Sequence, residues 1–181
     1  DGKRELLVGP EGASIFALGV PNGEVYRLEV GPPYTYSISG HETWIGTTGE
    51  MLISLNVQED YDFGKGPIVG IRPGQPARTI CPGWEVNHIG IEPSGRIFCG
   101  DCYEPDLIMI GSPITNKSAV VGPARTSYQR ARNRPKQPSY TDSHPHAYIT
   151  PDHKWVIFNS DRHGTQQVYA AAIPEEIIQE L

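Results

Sequence analysis

With 181 residues, the chain is long enough for one ordinary domain or for a piece of a larger repetitive one. Its formal net charge of -6 argues against a nucleic-acid-binding protein, because binding to phosphates requires a basic surface. The 20 glycines and 17 prolines favour an all-β protein with many turns. The sequence contains no apolar run long enough to span a membrane. Its three cysteines are an odd number and too few for a disulfide-rich secreted protein, so we expect a reducing compartment and a cytoplasmic protein.

The first predicted element is a hairpin, in which segments 13–19 and 25–30 flank a turn at Pro21, Asn22 and Gly23. Three further strand-turn-strand units follow. Their turns are predicted at residues 47–50, 93–96 and 151–154. His153 stands in the third turn where a glycine would be the usual residue.

The spacing of these turns predicts a β-propeller. Thr47 and Pro93 are 46 residues apart, and Pro93 and Pro151 are 58 apart, close to the period of propeller blades. A polar, basic insertion at residues 128–138 accounts for the longer interval. We therefore predict a partial propeller domain over residues 1–173, with about four blades from the second half of a longer ring. Residues 174–181 are predicted to form a short helical tail.

Four of the six histidines recur at one position of the repeat. His41, His88 and His146 each stand five or six residues before a predicted turn, and His144 precedes His146 by two residues. The strand that leads into such a turn is the innermost of a blade, so these side chains should converge at the mouth of the central channel. His144 and His146 stand at i and i+2 of a segment that we predict to be extended, so their side chains should point the same way. Clustered imidazoles predict a metal site.

The residues around these histidines resemble the oligogalacturonate lyase family. The sequence 144–162, which begins His-Pro-His, is similar to the last blade of that family, and the His-Glu-Thr-Trp motif at 41–44 and the Asn-His pair at 87–88 resemble motifs of its earlier blades. The resemblance covers about residues 24–173. It implies a seven-bladed propeller that binds manganese or a similar divalent ion and cleaves oligogalacturonides, which are pectin fragments, by β-elimination.

By this resemblance, His88, His144 and His146 would be metal ligands, and His41 would be the general base. Arg27 stands in the strand where the family has a catalytic arginine. The family's further ligand, a glutamine, corresponds to Thr141, so Asp142, Gln137 or water would take its place.

Other residues are candidates for substrate contacts. Arg130, Arg132 and Arg134 in the basic insertion could pair with the carboxylates of an oligouronide, and a solvated loop is the equally weighted alternative. Four more residues could line the channel mouth: Glu42, Trp44, Trp84 and Asp101. Of these, Trp44 is the predicted sugar platform.

Two other functions fit the same fold. A non-catalytic binding propeller is the main alternative, because propellers often serve as binding modules, and a lyase that has lost activity is another. A peptidase propeller is disfavoured, because no Gly-x-Ser-x-Gly motif follows. We predict no nucleic-acid and no membrane partner.

Overall fold

The computed structural model describes residues 3–9, 12–28, 38–55, 68–81, 86–102, 105–127 and 143–181. Within these ranges the chain forms β-strands and one short C-terminal helix. The elements are β1 (Lys3–Gly9), β2 (Gly12–Leu18), β3 (Val25–Leu28), β4 (Ile38–Trp44), β5 (Met51–Leu55), β6 (Ile68–Ile71), β7 (Arg78–Cys81), β8 (Ile89–Ile91), β9 (Phe98–Cys102), β10 (Leu107–Gly111), β11 (Ser118–Pro123), β12 (Tyr148–Ile149), β13 (Trp155–Ser160), β14 (Gln167–Ala172) and α1 (Glu175–Glu180). In the described part of the chain, no helix is long and apolar enough to cross a membrane.

The strands form four antiparallel sheets, each made of strands consecutive in the sequence. The sheets contain β1–β3, β4–β7, β8–β11 and β12–β14, and within each sheet every strand pairs with its neighbour in the chain. The all-β prediction is therefore confirmed, as are the hairpin around residues 20–24 and the helix near the C-terminus. The predicted boundary between a domain and a tail at residue 173 stays a prediction.

The three predicted turns share one hydrogen-bond pattern. In each, the residue that enters the turn donates its N–H to the carbonyl five residues later, at 2.8 Å for Ile45, 3.2 Å for Glu92 and 2.9 Å for Thr150. Its own carbonyl accepts from the N–H three residues later. Gly95 and His153 occupy equivalent positions with φ of 76° and 59°, so the histidine adopts the left-handed conformation that glycine adopts more readily.

Apolar side chains fill the spaces between successive sheets. Met51, Ile53 and Leu55 in β5 pack toward the first sheet, whereas Leu52, which points to the opposite side of the strand, packs toward the third. Both faces of β5 and β9 are consequently buried, which explains why these strands are apolar except for Ser54 and Asp101. Cys99 and Cys102 likewise enter different core clusters, because two side chains three residues apart on a strand point to opposite faces.

The first strands of the last three sheets lie side by side, with β4 in contact with β8 and β8 in contact with β12. Gly90 in β8 makes a close approach possible, because a Cβ at this position would lie 2.9 Å from the carbonyl oxygen of Ala147. This arrangement brings together the segments that carry the recurrent histidines.

The last sheet differs from the middle two because one of its faces is open. Tyr148, Trp155 and Val168 are 50%, 43% and 70% exposed. The strand register places all three on the same face, since Tyr148 pairs with Ile157 and Trp155 with Ala172. The opposite face, with Val156 and Phe158, packs on the third sheet.

Candidate metal centre

The four recurrent histidines meet where the first strands of successive sheets approach one another. His41 lies in β4, His88 directly precedes β8, and His144 and His146 precede β12. Nitrogen atoms of His88, His144 and His146 all lie within 4.8 Å of one another. The repeat position therefore predicted which histidines converge, although their role as ligands stays a prediction.

The rings differ in their spacing. The centroids of His88 and His146 are 3.6 Å apart with the rings stacked, whereas His144 lies 5.5 Å from His88 and 5.8 Å from His146. His88 is almost buried, His144 is half-buried and His146 is exposed. The group thus has one side within the protein and one side open to a ligand.

A buried carboxylate holds His88 in place. Asp101 in β9 is fully buried, and its Oδ1 and Oδ2 lie 3.0 and 3.1 Å from Nδ1 of His88. With Nδ1 protonated and donating to this carboxylate, Nε2 carries the lone pair that a metal ion requires. The backbone N–H of His88 also donates to Oδ1, at 3.3 Å. Sequence reasoning placed Asp101 only among residues that could line the channel.

Asp101 also joins the two segments that supply the histidines. The backbone N–H of Ala147 donates to its Oδ2 at 3.4 Å, so one carboxylate contacts both His88 and the residue after His146. A second bond, in which the N–H of Asn159 donates to the carbonyl of Pro145 at 2.8 Å, fastens the same segment to β13. These bonds fix the backbone on both sides of His146.

The prediction of an extended His-Pro-His segment is wrong at His146. Its φ is 46°, in the left-handed region that few non-glycine residues adopt. The backbone bonds at Pro145 and Ala147 hold this conformation, and the rings of His144 and His146 still face each other at an interplanar angle of 20°. Backbone strain of this kind is common at functional sites, where the surrounding contacts impose it.

The protonation state suits a ligand. Although part of His146 is exposed, loss of solvent around its ring lowers the pKa of His146. The nearby His88 and His144 lower this pKa further, whereas the carboxylate of Asp101 raises it. A lowered pKa favours the neutral imidazole, which is the form that binds a metal ion.

His41 lies beside this group and outside it. Its ring is perpendicular to that of His88, with centroids 4.5 Å apart, and the side chain is half-buried. Trp44 ends β4 next to the turn and is 37% exposed. Arg27 is exposed on β3, where it stands opposite Phe16 of β2 in the strand register. The catalytic roles of His41 and Arg27 and the sugar-binding role of Trp44 stay predictions.

Several predicted contacts fall outside the described residues. These are the basic residues Arg130, Arg132 and Arg134, the candidate ligands Gln137, Thr141 and Asp142, and Trp84. Their roles stay predictions as well.

The three histidines fit a divalent metal ion with a small adjustment. Nitrogen atoms bonded to one ion at about 2.0–2.2 Å can be at most about 4.0–4.4 Å apart. Because the nitrogen atoms of the group lie within 4.8 Å of one another, they exceed this span by at most about 0.4–0.8 Å, which small ring movements can remove. His144, whose ring is the most distant, is the residue that we expect to move. Three neutral imidazoles leave coordination positions open, as a catalytic site requires.

The amino-acid sequence matches no protein-family model and no curated protein. Known structures with a similar fold include an oligogalacturonate lyase in complex with manganese, at a TM-score of 0.70 and 19% identity over 91% of this chain and 42% of that one. An oligogalacturonate lyase from Vibrio parahaemolyticus has a TM-score of 0.67 and 16% identity over 91% of this chain and 46% of that one.

TolB from Acinetobacter baumannii is also similar, with a TM-score of 0.60 and 14% identity over 94% of this chain and 38% of the other. The chain thus spans less than half the length of each of these proteins. Identities this low relate the chain to them by fold. The protein has the β-propeller type of fold found in oligogalacturonate lyases and TolB.

Proposed function

We propose that the protein is a metal-dependent lyase that cleaves oligogalacturonides by β-elimination to 4,5-unsaturated uronates. The observation that carries this proposal is the group of His88, His144 and His146, with the buried carboxylate of Asp101 behind His88. The similarity in fold to an oligogalacturonate lyase in complex with manganese supports it.

His88, His144 and His146 would hold the ion, for which Mn²⁺ is our proposal. When bound, such an ion supplies Lewis acidity to the uronate carboxylate, which becomes enolate-like as the C5 proton leaves. Asp101 keeps His88 in the required tautomer and orientation. The open side of the group, at His146, is where the substrate would approach.

His41 is our candidate for the general base that takes the C5 proton. Imidazole side chains in general have a pKa of about 6.5, so a neutral imidazole can accept a proton at neutral pH. Its position beside His88 places it next to the proposed ligands and outside their group. Once the C5 proton is removed, the electron pair forms the C4–C5 double bond and the O4 group leaves. Arg27 is the proposed catalytic arginine. Trp44 and the three arginines of the basic insertion complete the proposed site as substrate contacts.

We also propose that the four sheets belong to a larger ring of seven. The open face of the last sheet supports this, because Tyr148, Trp155 and Val168 form an exposed apolar surface where the middle sheets have a neighbour. The three buried free cysteines agree with a cytoplasmic location.

Turnover of trigalacturonate by the full-length protein tests the proposal. We expect ultraviolet absorbance from the 4,5-unsaturated product to appear with added Mn²⁺ and to be lost in His41→Ala, while Mn²⁺ binding is retained. His163→Ala is the matched control, because His163 contacts Tyr169 on the last sheet and should leave turnover unchanged.

A non-catalytic binding propeller is the second candidate, and the similarity to TolB favours it. The same assay separates the two, because a binding module would give no unsaturated product at any Mn²⁺ concentration.

A further inference from the structure

A polar cavity lies between the second and third sheets, at the end opposite to the histidines. It has a volume of about 530 Å³, and the turns that follow β4 and β8 contribute to its lining. The residues that line the cavity include none of the four recurrent histidines. The cavity is therefore distinct from the candidate metal centre.

One buried carboxylate and two arginines form the charged part of this cavity. Glu50 is 4% exposed, and its Oε1 and Oε2 accept from Nε and Nη2 of Arg78 at 2.6 and 3.1 Å. Nη2 of Arg72 donates to Oε2 at 3.3 Å. Burial tends to raise the pKa of Glu50, but the two guanidinium groups outweigh it and lower this pKa, so the carboxylate is ionised at neutral pH. Two positive charges thus face one negative charge.

The two arginines differ in how many of their N–H donors remain available to a ligand. Arg78 is held on several sides, because its Nη1 also donates to the carbonyl of Pro113 at 3.0 Å. Arg72 contacts Glu50 through a single nitrogen, and its side chain is 41% exposed. Since a guanidinium group has five N–H donors, Arg72 keeps an edge that can pair with a second carboxylate.

The remaining walls are partly apolar. Ile45 is buried at one side, and Ile114 is 69% exposed at the rim. A large exposed isoleucine beside an arginine offers a surface for the hydrocarbon part of a ligand, with the guanidinium group fixing its charged end. The single excess positive charge and the nearby Glu50 favour a monoanion over a dianion such as phosphate.

We propose that this cavity binds a small organic monocarboxylate, whose carboxylate pairs with Arg72 and whose apolar body packs against Ile45 and Ile114. The site is independent of the proposed lyase activity. It requires neither the histidines nor a metal ion.

Calorimetric titration of the full-length protein with benzoate, benzamide and inorganic phosphate tests the proposal. We expect benzoate to bind at least about tenfold more tightly than benzamide, which has the same shape without the charge. Arg72→Gln should weaken benzoate binding by about tenfold. Ile114→Glu, at an exposed position, should do the same by adding a negative charge at the rim. Lys154→Gln, the same change of charge on the last sheet, should leave the affinity within about twofold.

His88→Ala should bind benzoate as the unaltered protein does, which separates this cavity from the metal centre. Equal binding of benzoate and benzamide would overturn the proposal. So would unchanged benzoate affinity in Arg72→Gln, or tighter binding of phosphate than of benzoate. Circular dichroism of each variant shows whether the fold is retained.

Discussion

Replacement of Asp101 by Asn should weaken metal binding more than any other change outside the three proposed ligands. The substitution keeps the size of the side chain and removes its charge. In the native protein the carboxylate accepts from Nδ1 and the backbone N–H of His88 and from the N–H of Ala147. An amide has one acceptor oxygen, so its NH₂ group must face at least one of these donors.

The size of the effect follows from these contacts. Loss of a carboxylate that orients a ligating histidine typically reduces metal affinity 10- to 100-fold, which is about 1.4–2.7 kcal/mol. Because Asp101 is fully buried, the unmatched donors should also lower the free energy of unfolding by about 1–3 kcal/mol. We therefore expect both metal affinity and stability to fall.

Mn²⁺ titration followed by electron paramagnetic resonance measures the affinity, and urea unfolding measures the stability. Asp106→Asn is the matched control, since Asp106 accepts from the backbone N–H and Oγ1 of Thr126, both at 3.0 Å, in the same region of the fold. This control should lose stability and keep its Mn²⁺ affinity. Equal Mn²⁺ affinity in Asp101→Asn and the native protein would refute the reasoning, as would an equal loss in both variants.

Two further predictions concern stability. Burial tends to raise the pKa of Glu92, but hydrogen bonds from Ser94, Arg96 and Ile97 outweigh this and lower it from 4.5 to about 2. Its carboxylate should therefore contribute as much as about 3 kcal/mol to the free energy of unfolding above pH 4.5. This contribution should be lost as the pH falls toward 2. Urea unfolding from pH 7 to pH 2.5 should show a weaker pH dependence in Glu92→Gln, and an unchanged one would contradict this. Gly70→Ala should lower stability by about 1–3 kcal/mol, because the added Cβ would lie 2.1 Å from Oε1 of Glu50, which Nε of Arg78 holds in place at 2.6 Å. Gly122→Ala, where nothing lies within 4 Å of the added atom, is its control, and equal melting temperatures of the two variants would contradict the argument.

The repeat made much of the fold and part of the site predictable. Turns at equivalent positions implied equivalent strands, and the histidines before these turns had to meet wherever the first strands of successive sheets are in contact. His88 and His146 come together for this reason, although 58 residues separate them in the sequence.

The role of Asp101 was less accessible to sequence reasoning. Its contact with His88 depends on the pairing of the segments around β8 and β9, in which the N–H of Asn87 donates to the carbonyl of Asp101 at 2.8 Å. A signal was nevertheless present, because an acidic residue in an otherwise apolar strand must have partners when it is buried. The φ of His146 could not be foreseen either, since it is imposed by the bond from Ala147 N–H to Asp101 and by the bond from the distant Asn159 N–H to Pro145.

Anomalous diffraction at the manganese absorption edge, from crystals of the full-length protein grown with Mn²⁺, tests the central claim most directly. We expect one strong peak within about 2.3 Å of a nitrogen atom from each of His88, His144 and His146. The peak should disappear in crystals of His88→Ala. A peak elsewhere in the protein, or no peak at these three imidazoles with Mn²⁺ in excess, would contradict the account.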